Sequence, residues 1–112
     1  MPIKISRTAA ETRWDRIAGY YAELEGLTGS AVVRLNRAVA VAEVDGPAAA
    51  LALLDGLDSA LPRSHRVSAV RAELLVRSHR PEEAREAYQV ALARCRNEAE
   101  VAHLRRRLAD LG

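Results

Sequence analysis

Three histidines, one cysteine and a handful of helical polar residues are the side chains of this sequence with chemistry to offer beyond folding. His65, His79, His103 and Cys95 are all of metal-ligand type. Zinc ligands read from a sequence come in short paired spacings, and these four have none with one another or with a carboxylate. The spacing therefore predicts no metal. No nucleophile stands beside a base in a recognisable pattern and no Gly-rich phosphate loop occurs. The expectation is a protein that is not an enzyme and carries no cofactor. Cys95 has no internal disulfide partner; it matches Leu61 in the repeat described below and reads as a small buried hydrophobe late in a helix rather than as a reactive thiol.

Asn36, Arg37 and Arg71 are the polar residues that ask for a reason. An asparagine in mid-helix gives up helix propensity. Arg37 and Arg71 lie 34 residues apart, and two uses fit them. Each guanidinium can pair with an acid such as Asp55 or Glu73, or with a helix end, and tie neighbouring layers together. Alternatively, Asn36, Arg37 and Arg71 line a groove that grips an acidic or C-terminal peptide segment. On a helical-repeat template, Arg66, Glu73 and Arg77 of one helix and Val32, Leu35, Val39 and Glu43 of another share an inner face. Such a mixed surface suits an amphipathic helix. The run Arg105-Arg106-Arg107 reads as a solvated turn near a helix C-terminus, where the dipole favours cations.

The elements that hold these residues repeat. At an offset of 34, Arg37 falls on Arg71, Ala38 on Ala72, Pro47 on Pro81 and Ala50 on Ala84. That is the tetratricopeptide period, a helical pair that hides its apolar face by stacking on neighbours. Hydrophobic residues make up 49% of the 112, Phe is absent, and 17 basic against 15 acidic residues leave a net charge of +2. The composition suits thin, closely packed helices and gives no general attraction to nucleic acid or lipid. We expect an all-α, right-handed stack of about six antiparallel helices. No apolar stretch marks a leader or a membrane span, so a cytoplasmic location is expected.

Residues 1–10 read as a loose tail and 11–112 as the domain, with repeat units at 31–64 and 65–98, a preceding half-unit at 12–27 and a closing helix at 97–111. Thr12, Ser30 and Asn97 are the expected helix caps, and Pro47 and Pro81 the first residues of helices three and five. Helix three is expected to reach about Leu57, and a long loop to follow to Ser64. Ala84, Tyr88 and Ala91, Ala50, Leu54 and Leu57, and Ile17, Tyr21 and Leu24 share one four-plus-three spacing. Helix one thus looks like the second half of an earlier unit, which predicts exposed apolar surface around Trp14 and Tyr20 or a neighbour covering it, a homodimer through helix one being one such arrangement.

Several stretches together resemble the C-terminal extension of one group of bacterial extracytoplasmic-function RNA polymerase sigma factors. They are Trp14 to Tyr21 with Leu24, Val32 to Ala42, Asp45 to Leu51, Arg71 to Leu75, and Asn97-Glu98 with Leu104 to Leu108. The Leu35-Asn36-Arg37-Ala38-Val39-Ala40 block leading into Asp45-Gly46-Pro47 is the specific part. Arg13, Ser64, Ser68 and His79 depart from that pattern, His79 standing where a turn glycine is usual. The resemblance implies a tetratricopeptide-like accessory module that regulates transcription initiation by protein contact, its partners being sigma factor domains, RNA polymerase or a regulator. Sigma regions 2 and 4 are absent from this chain, and direct contact with nucleic acid or membrane is not expected. The rival reading is a free-standing repeat adaptor or self-associating scaffold unrelated to polymerase.

Overall fold

The computed structural model describes residues 9–112. These form seven helices: α1 (Ala9–Thr28), α2 (Ala31–Asp45), α3 (Pro47–Leu53), α4 (Leu57–Ala60), α5 (His65–Arg77), α6 (Pro81–Arg94) and α7 (Glu98–Asp110). Among the described residues there is no strand, so the fold is all-α. Successive helices pack on one another, α1 on α2, α2 on α3, α5 on α6 and α6 on α7, while α5 also meets α3 and α2. Short connections between packed helices make helical hairpins.

Local chemistry sets most of the boundaries. Ser30 accepts a hydrogen bond from the Val33 amide at 3.3 Å and Asn97 accepts one from Glu100 at 3.1 Å, each satisfying an orphan donor of the first turn. Pro47 and Pro81 open α3 and α6, where a missing N–H costs nothing. The first helix starts earlier than the cap at Thr12 implied, at Ala9. Of the tail expected at 1–10, residues 9 and 10 are helical and the rest lies outside the described residues.

Helix three does not reach Leu57. It stops at Leu53, and the chain tightens through amide bonds from Leu54 to Leu51, Asp55 to Ala52 and Leu57 to Leu54 at 3.0, 3.3 and 3.0 Å. Gly56 then takes a left-handed φ of 83°, and the short α4 begins where a long loop was expected. Both leucines flanking the kink are buried, Leu54 at 1% and Leu57 at 3% exposure. Breaking the helix there lets both reach the core.

The 34-residue offset survives in space. Helices α2 and α5 start at 31 and 65, and α3 and α6 at 47 and 81. Equivalent positions are buried alike: Ala38 with Ala72, Ala50 with Ala84, Val41 with Leu75, Leu54 with Tyr88 and Leu57 with Ala91. Two apolar cores result, one around Leu35, Ala38, Leu54, Val67 and Leu74, the other around Ala72, Leu75, Ala84, Tyr88 and Leu104. Helix α5 serves both, because Val67 and Leu74 leave its surface on one side and Ala72 and Leu75 on the other. Alanines at the contact positions keep the helices close.

Leu35 belongs to the first core and not to an inner surface as the repeat template suggested. Cys95 is the extended residue that ends α6, not a late helical one, and is only partly buried. Helix α1 contributes no fully buried residue.

At the end of α5 the amide of Arg80 bonds the Leu75 carbonyl at 2.9 Å and that of His79 bonds Val76 at 3.0 Å. This is a Schellman closure, whose pivotal residue must take a left-handed conformation. His79 does so, with φ of 59°. A side chain there costs about 1–2 kcal/mol, partly offset by the greater entropy glycine loses on folding. His79→Gly is expected to stabilise the protein by about 0.5–1 kcal/mol, seen as a higher urea midpoint with an unchanged slope.

Candidate functional site

Along α2, residues 39, 42 and 43 share one face, and along α5 so do 69, 70, 73, 74 and 77. The two faces border a groove of about 260 Å³ whose apolar floor includes Val39, Ala42, Val70 and Leu74, with Glu43, Glu73 and Arg77 among its edges. Val39 and Glu43 from one helix and Glu73 and Arg77 from the other are thus brought together, without Val32, Leu35 and Arg66 of the expected inner face. Arg77 donates to the Ala42 carbonyl at 3.2 Å and pairs with Glu43 at 3.4 Å, closing one end. Val32, two turns before Val39 on α2, is exposed.

Glu73 closes the other end and is the most heavily bonded side chain of the surface. It accepts the Tyr88 hydroxyl at 2.8 Å and two guanidinium bonds from Arg107, both at 2.7 Å. Burial works to raise its carboxyl, but the hydrogen bonds from Arg107 and Tyr88, with the charges of Arg107 and His103, outweigh that and hold it below the usual carboxylate range. Burial and the bond to Glu73 push the Tyr88 phenol up to about 12. Arg107 is therefore not part of a solvated turn. Half-buried against Glu73, it ties α7 to α5, while Arg105 and Arg106 stay exposed.

The singled-out arginines act as ties, though not to the expected acids. Arg37 pairs with Glu25 of α1 at 3.1 Å. Arg71 forks onto Asp58 of α4 with bonds of 3.2 and 2.8 Å. Neither pairs with Asp55, and Glu73 is taken by Arg107. In both repeats the guanidinium reaches back to the preceding helix, 12 and 13 residues earlier. Arg71 borders a separate cavity with Asp58, Glu83, Glu86 and Arg94, so Asn36, Arg37 and Arg71 do not form one groove with Glu73 and Arg77. Asn36 is half-buried on α2.

Arg66 is exposed at the start of α5, beside a third cavity that also touches His65, Glu100 and His103. Trp14 is half-buried on α1, while Tyr20 is 60% exposed and stacks edge-on against Tyr21 with ring centroids 5.6 Å apart. The exposed apolar surface of this end is therefore Tyr20 with Leu27 and not Trp14. Two ties escaped the sequence reading altogether, Arg34 to the Leu53 carbonyl at 2.7 Å and Arg85 to that of Leu111 at 3.3 Å. A long-range bond to a backbone oxygen leaves no trace in residue types.

No family model matches the chain and no solved structure matches it. An uncharacterized protein of Rhizobium meliloti (strain 1021) is 41% identical over 101 residues, covering 90% of this chain and 24% of that protein. The chain thus spans about a quarter of the relative's length. None of the described helices is long and apolar enough to cross a membrane.

The tie at Glu73 generates an acid-dependent prediction. Its folded pKa lies below the unfolded value of about 4.3, so its contribution is complete above that value and is lost as pH falls through the folded pKa. At 39% side-chain exposure solvent screening keeps it to about 1 kcal/mol or less. Urea titrations of wild type and Glu73→Gln from pH 6 to 3 should converge toward the acid end. Tyr88→Phe should cost about 1 kcal/mol at neutral pH, the ordinary worth of one hydrogen bond.

Proposed function

We propose that this chain is a tetratricopeptide-like interaction module, akin to the C-terminal extension of an extracytoplasmic-function sigma factor, that regulates transcription initiation through protein contact. The observation that carries the reading is the groove between α2 and α5. An apolar floor of about 260 Å³ accepts side chains at i and i+3 or i+4 of one amphipathic helix. Its acidic and basic edges fix the orientation of that helix more than they add affinity.

The 34-residue recurrence of helix starts supports the repeat assignment, and the specific Leu35-to-Ala40 block supports the link to sigma factors. In the Rhizobium relative the corresponding region occupies about a quarter of the chain, the proportion of a module joined to other domains. The occupant we assign to the groove is a helix of the sigma domains themselves, met within one polypeptide or between two. Polymerase or a separate regulator is then contacted through that docked arrangement. A free-standing, self-associating scaffold is the rival, and the exposed Tyr20 and Leu27 of α1 are the surface it would use.

Binding to purified sigma regions 2 and 4 of the same organism, followed by calorimetry, tests the proposal. Val39 is 38% exposed, so Val39→Arg fills the groove with charge at little cost to folding. It is expected to weaken binding by more than about tenfold, about 1.4 kcal/mol, with the melting temperature nearly unchanged. Absence of binding by the wild-type chain, or equal binding by the folded variant, overturns the reading. A concentration-dependent dimer abolished by Tyr20→Glu with Leu27→Glu, in a chain that ignores sigma domains, would establish the scaffold instead.

A further inference from the structure

Three metal-ligand side chains that are unrelated in sequence spacing meet at one edge of the helical stack. His65 is the first residue of α5, Cys95 ends α6 and Glu100 sits in the first turn of α7. The ligand atoms of all three lie within 4.8 Å of one another. His65 Nε2 touches Glu100 Oε2, and Cys95 Sγ is 3.7 Å from that same oxygen.

An exposed histidine–carboxylate pair is common and contributes little. It does not account for a thiol that lies beside the same oxygen as well as 3.6 Å from the Asn97 carbonyl. Sulfur and oxygen ligands of a tetrahedral zinc ion, at bond lengths of about 2.3 and 2.1 Å, stand about 3.6 Å apart. The Cys95–Glu100 separation is already that edge of the tetrahedron. Only the His65–Glu100 contact has to open for an ion to enter, and both groups are partly exposed, at 26% and 51%.

We propose that His65, Cys95 and Glu100 form a binding site for a divalent transition metal of borderline softness, Zn²⁺ foremost. The mixed nitrogen, sulfur and oxygen donors select such an ion over Mg²⁺ or Ca²⁺, which take oxygen ligands only. On binding, the Cys95 thiol releases its proton to solvent as the sulfur–metal bond forms, His65 binds through a neutral ring nitrogen and Glu100 as carboxylate. The two anionic ligands cancel the charge of the ion. His65 and Glu100 also line a cavity of about 190 Å³ with Ala69, Val70, His103 and Leu104, which has room for a water as a fourth ligand.

The three ligands come from three helices, so metal binding and the docking of α7 onto α5 and α6 become one event. None of the three ligands borders the groove, although Ala69 and Val70 line both cavities, and the site does not rest on the sigma factor reading.

The test uses the chain stripped of metal by a chelator and kept reduced. One Zn²⁺ per chain should bind in competition with a chromophoric chelator and raise the melting temperature in proportion to the logarithm of its concentration. Co²⁺ should give a thiolate-to-metal charge-transfer band together with tetrahedral visible bands, and Mg²⁺ neither binding nor stabilisation. Cys95→Ser, His65→Gln and the more conservative Glu100→Gln should each weaken Zn²⁺ by more than about tenfold. His79→Gln, about 20 Å away along α5, should leave it unchanged. A wild-type chain without the thiolate band, or a folded Cys95→Ser or Glu100→Gln variant that binds Zn²⁺ as tightly as wild type, overturns the site.

Discussion

One carboxylate joins three helices of the second half of the molecule across the edge of its apolar core. Glu73 leaves α5, takes the phenol of α6 and receives the guanidinium of α7, so three helices share one charge. Tyr88 is 1% exposed, and its hydroxyl therefore needs a partner inside the protein; left without one it would cost about 1–3 kcal/mol. Supplying that partner draws a carboxylate toward the core, and the carboxylate in turn needs Arg107. The order of dependence runs from the buried ring outward. The groove edge at Glu73 is a consequence of core packing, and the same residue that would face a docked helix also fixes the spacing of α5, α6 and α7.

The two repeats solve one problem with different residues. Leu54 and Tyr88 occupy equivalent positions at equal burial, yet only the tyrosine brings a polar tip. The first repeat consequently has no counterpart of the Glu73 tie and closes instead by kinking at Gly56 so that Leu57 can turn inward. Arg37 and Arg71 remain alike in both, each reaching back one helix. As partly exposed pairs they contribute about 0.2–1 kcal/mol apiece, which sets register more than stability.

What the sequence made legible follows from the range of the forces involved. Ser30, Pro47, Pro81 and Asn97 act on backbone within one turn, so their helix starts could be read from neighbours alone. Ala38, Ala50, Ala72 and Ala84 were legible because a repeat states each packing environment twice. Val39, Glu43, Glu73 and Arg77 followed from helical periodicity once the pairing of α2 with α5 was granted. The partners of Arg37 and Arg71 were not legible, since several acids lie within reach of a long flexible side chain and packing decides between them. Arg107 was hidden in a run of three arginines whose directions only the docked helix distinguishes. The meeting of His65, Cys95 and Glu100 depends on the ends of three helices converging, which no local spacing encodes.

Of the described helices, the first and the last bury few residues of their own. Helix α1 has no fully buried residue and α7 has Leu104 alone. A single buried leucine supplies about 1.5–3 kcal/mol, while a helix of 13 residues is marginal in water without tertiary support. Helix α7 carries a polar contact near each end, Glu100 to His65 near its start and Arg107 to Glu73 near its finish. The first tie lies in the ligand cluster and the second at the groove edge. Both ties hold the one helix, and the cavity beside the first shares Ala69 and Val70 with the groove beside the second, so the way α7 docks bears on both places.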